Sequence, residues 1–192
     1  MTQAGIDSVI ADALAVLKGG GVILYPTDTV WGLGCDACNP EAVAKVFGIK
    51  QRSGAKSLVL LASDLDMVAM HVKVIPQIAI DLVEVNDAPM TIIYPGAQGL
   101  APAVVAEDGS VGIRIPMNEF CRKLTYKLRR PLVSTSANIS RQPTPSCFKE
   151  IAPEILEAVD YCVPSWVDRE STGKASQIIK LGLRGEVEII RA

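Results

Sequence analysis

The stretch YPTDTVWGLGCD, Tyr25–Asp36, decides how the rest of the chain reads. It follows directly on an apolar run, so VILY (22–25) reads as a buried strand closed by Pro26, which has no N–H for a ladder. What comes next is either a tight strand-to-loop connection or a loop that holds a ligand. Asp28 stands between two threonines, and Gly32 and Gly34 offer a backbone flexible enough to pass close to a bound molecule.

Working outward, strands and helices alternate. Ile6, Val9, Ile10, Ala13, Leu14 and Leu17 recur at helical spacing, and Gly19 to Gly21 end that helix. Asn39–Pro40 starts a second helix, with Val43, Val46 and Phe47 as its inward stripe. SLVLLA (57–62), MTIIY (90–94), SVGIRIP (110–116) and PLVSTSANIS (131–140) read as strands, the last opening into a polar turn. Helices are expected over 64–70 and 76–85, and after the cap Asn118. Another is expected from Ser146, interrupted at Pro153, before three late strands in YCV, SQIIKL and EVEIIR. The pattern predicts an α/β fold, a single domain over residues 1–192, with late hairpins making the open sheet mixed.

A net charge of −2 argues against a general nucleic-acid coat, although a local basic patch is compatible with it. The five cysteines are odd in number and no signal-peptide pattern precedes them, so reduced thiols in a cytosolic protein are expected. Cys35 and Cys38 form a lone CxxC without the second pair a zinc site needs. No apolar run approaches the roughly 20 residues of a membrane span.

No Walker loop or dinucleotide fingerprint is present. Chemistry instead concentrates in three places. KQRSGAKS (50–57) carries Lys50, Arg52 and Lys56, and is either a solvated basic loop or a clamp for phosphate. In STSANIS (134–140), Ser134, Ser136 and Asn138 alternate and would share one face if extended, although such residues also make ordinary turns. Arg114, flanked by isoleucines, would be costly to bury alone, so it needs an internal acid or a cleft. The single histidine, His71, has apolar neighbours and reads as a packing or surface residue.

Taken in order, YPTDTVWGLGCDA, KQR…KSL, SVGIRIP, PLVSTSANIS and KASQII resemble the YrdC-like family, over essentially the whole chain. The resemblance implies a twisted open sheet with a basic concave cleft, the YrdC/RibB-like fold. Its characterised members are L-threonylcarbamoyl-adenylate synthases, which use L-threonine, bicarbonate and ATP with Mg2+. A separate tRNA-modifying transferase then consumes the product, and binding of tRNA or double-stranded RNA has also been described in the family. Carried over by motif, Lys50 and Arg52 would be catalytic, through charge. ATP would meet Lys50, Arg52, Lys56, Ser110, Ser136, Asn138, Thr144 and Arg191. Threonine would meet Thr29, Leu61, Arg114, Ser134 and Ser176, with Trp31 as an aromatic wall. The chain departs from the family at Trp31 (usually tyrosine), Ser53 (proline), Arg141 (glycine) and Gln177 (threonine). A non-catalytic RNA-binding module and a paralogue acting on another carbamoyl-type substrate are the alternative readings.

Overall fold

The computed structural model describes residues 3–51, 58–169 and 171–192. Helix α1 (Gln3–Lys18) leads into β1 (Ile23–Tyr25), β2 (Gly32–Gly34), α2 (Pro40–Ile49) and β3 (Val59–Leu61). Helices α3 (Leu65–His71) and α4 (Gln77–Val85) precede β4 (Met90–Tyr94) and β5 (Val111–Arg114). Then come α5 (Glu119–Leu128), β6 (Leu132–Ser136), α6 (Pro153–Ala158), β7 (Tyr161–Cys162), β8 (Gln177–Leu181) and β9 (Val187–Arg191). Among the described residues nine strands form one mixed sheet in the order β7-β1-β2-β6-β3-β5-β4-β8-β9, parallel at β7/β1, β3/β5 and β4/β8 and antiparallel elsewhere.

The caps expected from sequence are present. Asn39 accepts from the backbone N–H groups of Glu41 and Ala42, and Asn118 from that of Cys121, satisfying donors that each helix start leaves orphaned. Two expectations are corrected. Pro153 begins α6 rather than interrupting a helix, because its fixed φ and missing N–H suit a first turn. GLG (32–34) is a strand, not a loop: it pairs antiparallel with β1 and with β6.

Side chains alternate across each strand, so each face is covered by its own helices. Leu60, Ile92, Ile113 and Val133 point to the face packed under α2, α3 and α4, with Val43, Val46, Val68 and Ala79. Ile23, Tyr25, Leu61 and Leu132 point the other way, against Ile10, Ala13 and Leu17 of α1 and Phe120, Leu124 and Leu128 of α5. Helices α1 and α5 cover only part of that second face. On β6 the sequence tracks the boundary: Leu132 lies under the helices, while Ser134 and Ser136 line an open cleft. Among the described residues no helix is long and apolar enough to cross a membrane.

Arg141, at a position where the family resemblance leads one to expect glycine, has φ 72°. That left-handed conformation costs a residue with a Cβ about 1–2 kcal/mol, which gives the glycine its physical reason. Arg141→Gly is therefore expected to raise stability by about 1 kcal/mol in urea unfolding, and a drop would contradict the backbone geometry at this turn.

Candidate functional site

The uncovered part of the second face is a cleft of about 210 Å3. Thr29, Arg114, Ser134, Ser136, Thr144, Ser176 and Arg191 line it, all expected from sequence, together with Val30, Gly32, Leu58, Val59, Thr135 and Ala175.

The β1–β2 connection is not slack. Thr27 Oγ1 accepts from the Thr29 N–H at 3.0 Å and donates to the Val30 carbonyl at 2.8 Å, leaving the Thr29 hydroxyl, also 2.8 Å away, to donate to it. The Ser171 hydroxyl and the Gly173 N–H both donate to the Thr29 carbonyl, at 2.7 and 2.8 Å. The loop is thus stapled on both sides, and Thr29 Oγ1 is held where Arg114 Nη2 donates to it at 3.2 Å.

Arg114 meets both requirements set by its sequence position. Nη1 is ion-paired with Asp28 Oδ1, and the other Asp28 oxygen accepts from the Met117 N–H at 2.9 Å. Arg114 and Asp28 are only 3% and 4% exposed, so this pair is the deepest charged element of the cleft. Arg114 Nε is buried and has no hydrogen-bond partner among the described residues. Such a donor carries a desolvation cost of about 1–3 kcal/mol that an arriving oxygen anion would relieve.

A second guanidinium faces the same space. Arg191 Nε donates to the Ser176 carbonyl at 2.8 Å, and the Ser176 hydroxyl lies 2.8 Å from that of Thr91. Ile179 pairs with Ile189 but Ile178 pairs with Arg191, so Ile190 is the extra residue of a β-bulge. Without the bulge Arg191 would sit opposite Gln177, on the other face; the bulge turns it into the cleft. Burial, and then the Arg114 charge, push the Arg191 guanidinium below its ordinary pKa. Two cations that share a partly dry cleft form a receptor for an anion.

Five residue assignments are corrected. The Lys50 ammonium is not offered to the cleft: it donates to the Ser136 and Asn138 carbonyls at 2.6 and 2.7 Å and approaches Asn138 Oδ1 at 3.4 Å. With the Ser140 N–H donating to the Lys50 carbonyl, Lys50 is a strut between the end of α2 and the SAN turn. Asn138 spends its amide on the Ile139 and Gln142 carbonyls, so it shapes the turn rather than facing a ligand. Ser110 donates to Asp108 at 2.6 Å and does not line the cleft. Leu61 is fully buried beneath α1 and α5, two residues beyond Val59, which does line the cleft. Trp31 packs in the opposite core, 4.8 Å from the Phe148 ring, and donates to Asp168, so it is no wall. Arg52 and Lys56 lie outside the described residues. Asp28 was missed, although the demand of Arg114 for an acid, with one buried between two threonines, pointed to it.

Known proteins resemble this chain in sequence and in fold. A family model for Sua5, YciO and YrdC, described as telomere recombination, matches residues 15–192. A threonylcarbamoyl-AMP synthase of Pseudoalteromonas translucida is 32% identical over 94% of this chain and 96% of its own. One from Chromohalobacter salexigens is 34% identical over 78% and 82%. The structure of P. abyssi Sua5 complexed with L-threonine superposes with a TM-score of 0.81 at 26% identity, covering 90% of this chain. The present chain spans about half the length of that protein, 50%.

Proposed function

We propose a reaction from one premise: the chain belongs to the Sua5–YciO–YrdC family. It acts as an L-threonylcarbamoyl-adenylate synthase, converting L-threonine, bicarbonate and ATP into threonylcarbamoyl-AMP, pyrophosphate and water. The observation that carries the reading is Arg114, an ion-paired but incompletely satisfied guanidinium at the floor of a small polar cleft.

The chemistry asks for such a floor. The threonine amine and bicarbonate form a carbamate with loss of water, and a carbamate oxygen attacks the ATP α-phosphorus as pyrophosphate leaves. The carbamate and the triphosphate are both anions, so cations and fixed geometry do more here than a proton-transferring pair. Arg114 receives the amino-acid carboxylate, with the hydroxyls of Thr29, Ser134 and Ser176 available to its polar atoms. The cleft is smaller than the roughly 300–1,000 Å3 of sites that enclose a drug-sized ligand. It therefore suits an amino acid, and a nucleotide must extend beyond it. Ser136, Thr144 and Arg191 are the nucleotide-side contacts, with Arg52 and Lys56 assigned to the phosphates. Mg2+ enters on the ATP phosphates. The product passes to a tRNA-modifying transferase in the cytoplasm.

Purified protein with Mg2+ and ATP is expected to release pyrophosphate only when threonine and bicarbonate are both present. Release that ignores either one overturns the reaction, and salt-sensitive RNA binding with no adenylate formed would replace it by the non-catalytic reading.

A further inference from the structure

A second cavity, of about 450 Å3, lies on the opposite face of the sheet. Its position follows from topology. Strands β3 and β5 are parallel neighbours, and the segments that follow their carboxyl ends diverge. The chain after β3 runs through α3 and α4 on one face, whereas the chain after β5 enters α5 on the other. A crevice opens where adjacent parallel strands send their helices to opposite faces, and open α/β sheets bind ligands there. Here Ser63 to Leu65 form one lip and Ile115 to Met117 the other.

The interior has the composition of a small-molecule site: an apolar body with a few polar groups at the rim. Val83, Ile92, Ile113 and Ile115 supply the apolar surface. At the rim stand one acid, Asp64, and one cation, Arg122. Asp64 Oδ1 caps α3 through the Met67 N–H, and Oδ2 accepts from Ser63. Among the described residues neither Asp64 nor Arg122 has an ion-pair partner, so the two charges at one cavity mouth are not spent on each other.

We propose that this cavity binds an apolar α-amino acid as its zwitterion. The side chain fills the space against Ile92 and Ile113, the carboxylate meets the Arg122 guanidinium, and the ammonium meets Asp64. An anion alone would face Asp64, and a cation alone would face Arg122. A molecule with both charges on one carbon and an apolar tail satisfies the whole rim. The site is separate from the threonine cleft and does not rest on the catalytic reading.

The test is a titration of the full chain with L-leucine, followed through assigned isoleucine, methionine and valine methyl resonances. Saturable shifts are expected at Ile92, Ile113 and Ile115. Arg122→Ala, at an exposed helix position, and Asp64→Asn, which keeps the cap acceptor, should each weaken binding about tenfold or more. The half-analogues 4-methylpentanoate, lacking the ammonium, and 3-methylbutylamine, lacking the carboxylate, should each bind about tenfold more weakly than leucine. No saturable shift up to the solubility limit of leucine, or leucine-like binding by either half-analogue, overturns the proposal. So does undiminished binding in Arg122→Ala, or shifts at Val30 and Val59 instead, which would place leucine in the cleft on the other face.

Discussion

Arg114→Ala is expected to cut threonine-dependent pyrophosphate release by 100-fold or more and to destabilise the fold by about 3–5 kcal/mol. The two losses have different origins. Activity falls because the carboxylate of the amino acid loses its receptor, an ionic hydrogen bond in a site only partly open to water. Stability falls because Asp28, 4% exposed, keeps only the Met117 N–H among the described residues. Breaking a buried pair by removing one partner leaves a charge with no compensation, and that penalty exceeds what the intact pair contributed. Adding Asp28→Asn to Arg114→Ala should therefore recover most of the stability and none of the activity. Arg114→Lys keeps a charge but cannot reach Asp28 and Thr29 with one planar fork, so it should recover stability in part and little activity. Urea unfolding and pyrophosphate release, measured on all four proteins, separate the effects. Wild-type activity in Arg114→Ala would remove this residue from the threonine site. Equal stability of the single and double variants would show that Asp28 is not held by Arg114.

How far the sequence disclosed this site depended on whether the constraint was local. Arg114 was legible because a cation between isoleucines in a strand has few ways to exist, each of which implies a partner or a cleft. Ser134 and Ser136 were legible because alternation is a local rule, and both do face the cleft. Asn138 broke the rule because the strand ends at Ser136 and the chain then turns. The two faces could not be separated by periodicity alone. Leu61 and Val59 point the same way, and only the reach of α1 and α5 decides that one is core and the other lines the site. The role of Lys50 depends on a contact 86 residues away in sequence, and a basic run looks the same whether its ammonium groups are free or spent. Arg191 faces the cleft through a one-residue bulge that leaves no mark in an apolar strand sequence. Strand β2 was missed because two of its three residues are glycine, which strand propensity penalises.

That same glycine pair yields the second large effect: Gly34→Ala is expected to destabilise the protein by about 3 kcal/mol or more. A Cβ at Gly34 would lie 2.6 Å from Tyr25 Cε1 and 2.7 Å from the Val133 carbonyl oxygen, closer than real Cβ contacts come. Neither neighbour can easily retreat. The Tyr25 ring is fully buried in the core beneath α1 and α5, and its hydroxyl donates to that same carbonyl at 3.1 Å. The Val133 N–H donates to the Cys35 carbonyl at 2.8 Å, so moving this backbone breaks the join between the chain after β2 and β6. Gly32 and Gly34 are therefore not the flexible backbone of a loop; they let a strand lie flat over an aromatic ring. The glycine next to the cleft is more tolerant, with its nearest contact at 3.4 Å for Gly32 against 2.6 Å for Gly34. Tyr25→Leu in the Gly34→Ala background should restore less than half of the lost stability, because the carbonyl contact remains. Gly48→Ala supplies the opposite control. It lies in α2 with nothing within 4 Å of its Cβ, so alanine there should stabilise by about 0.5–1 kcal/mol. If Gly34→Ala instead unfolds at the wild-type urea midpoint, the tyrosine does not lie under β2, and the stretch that sets Thr29 at the cleft must be anchored in some other way.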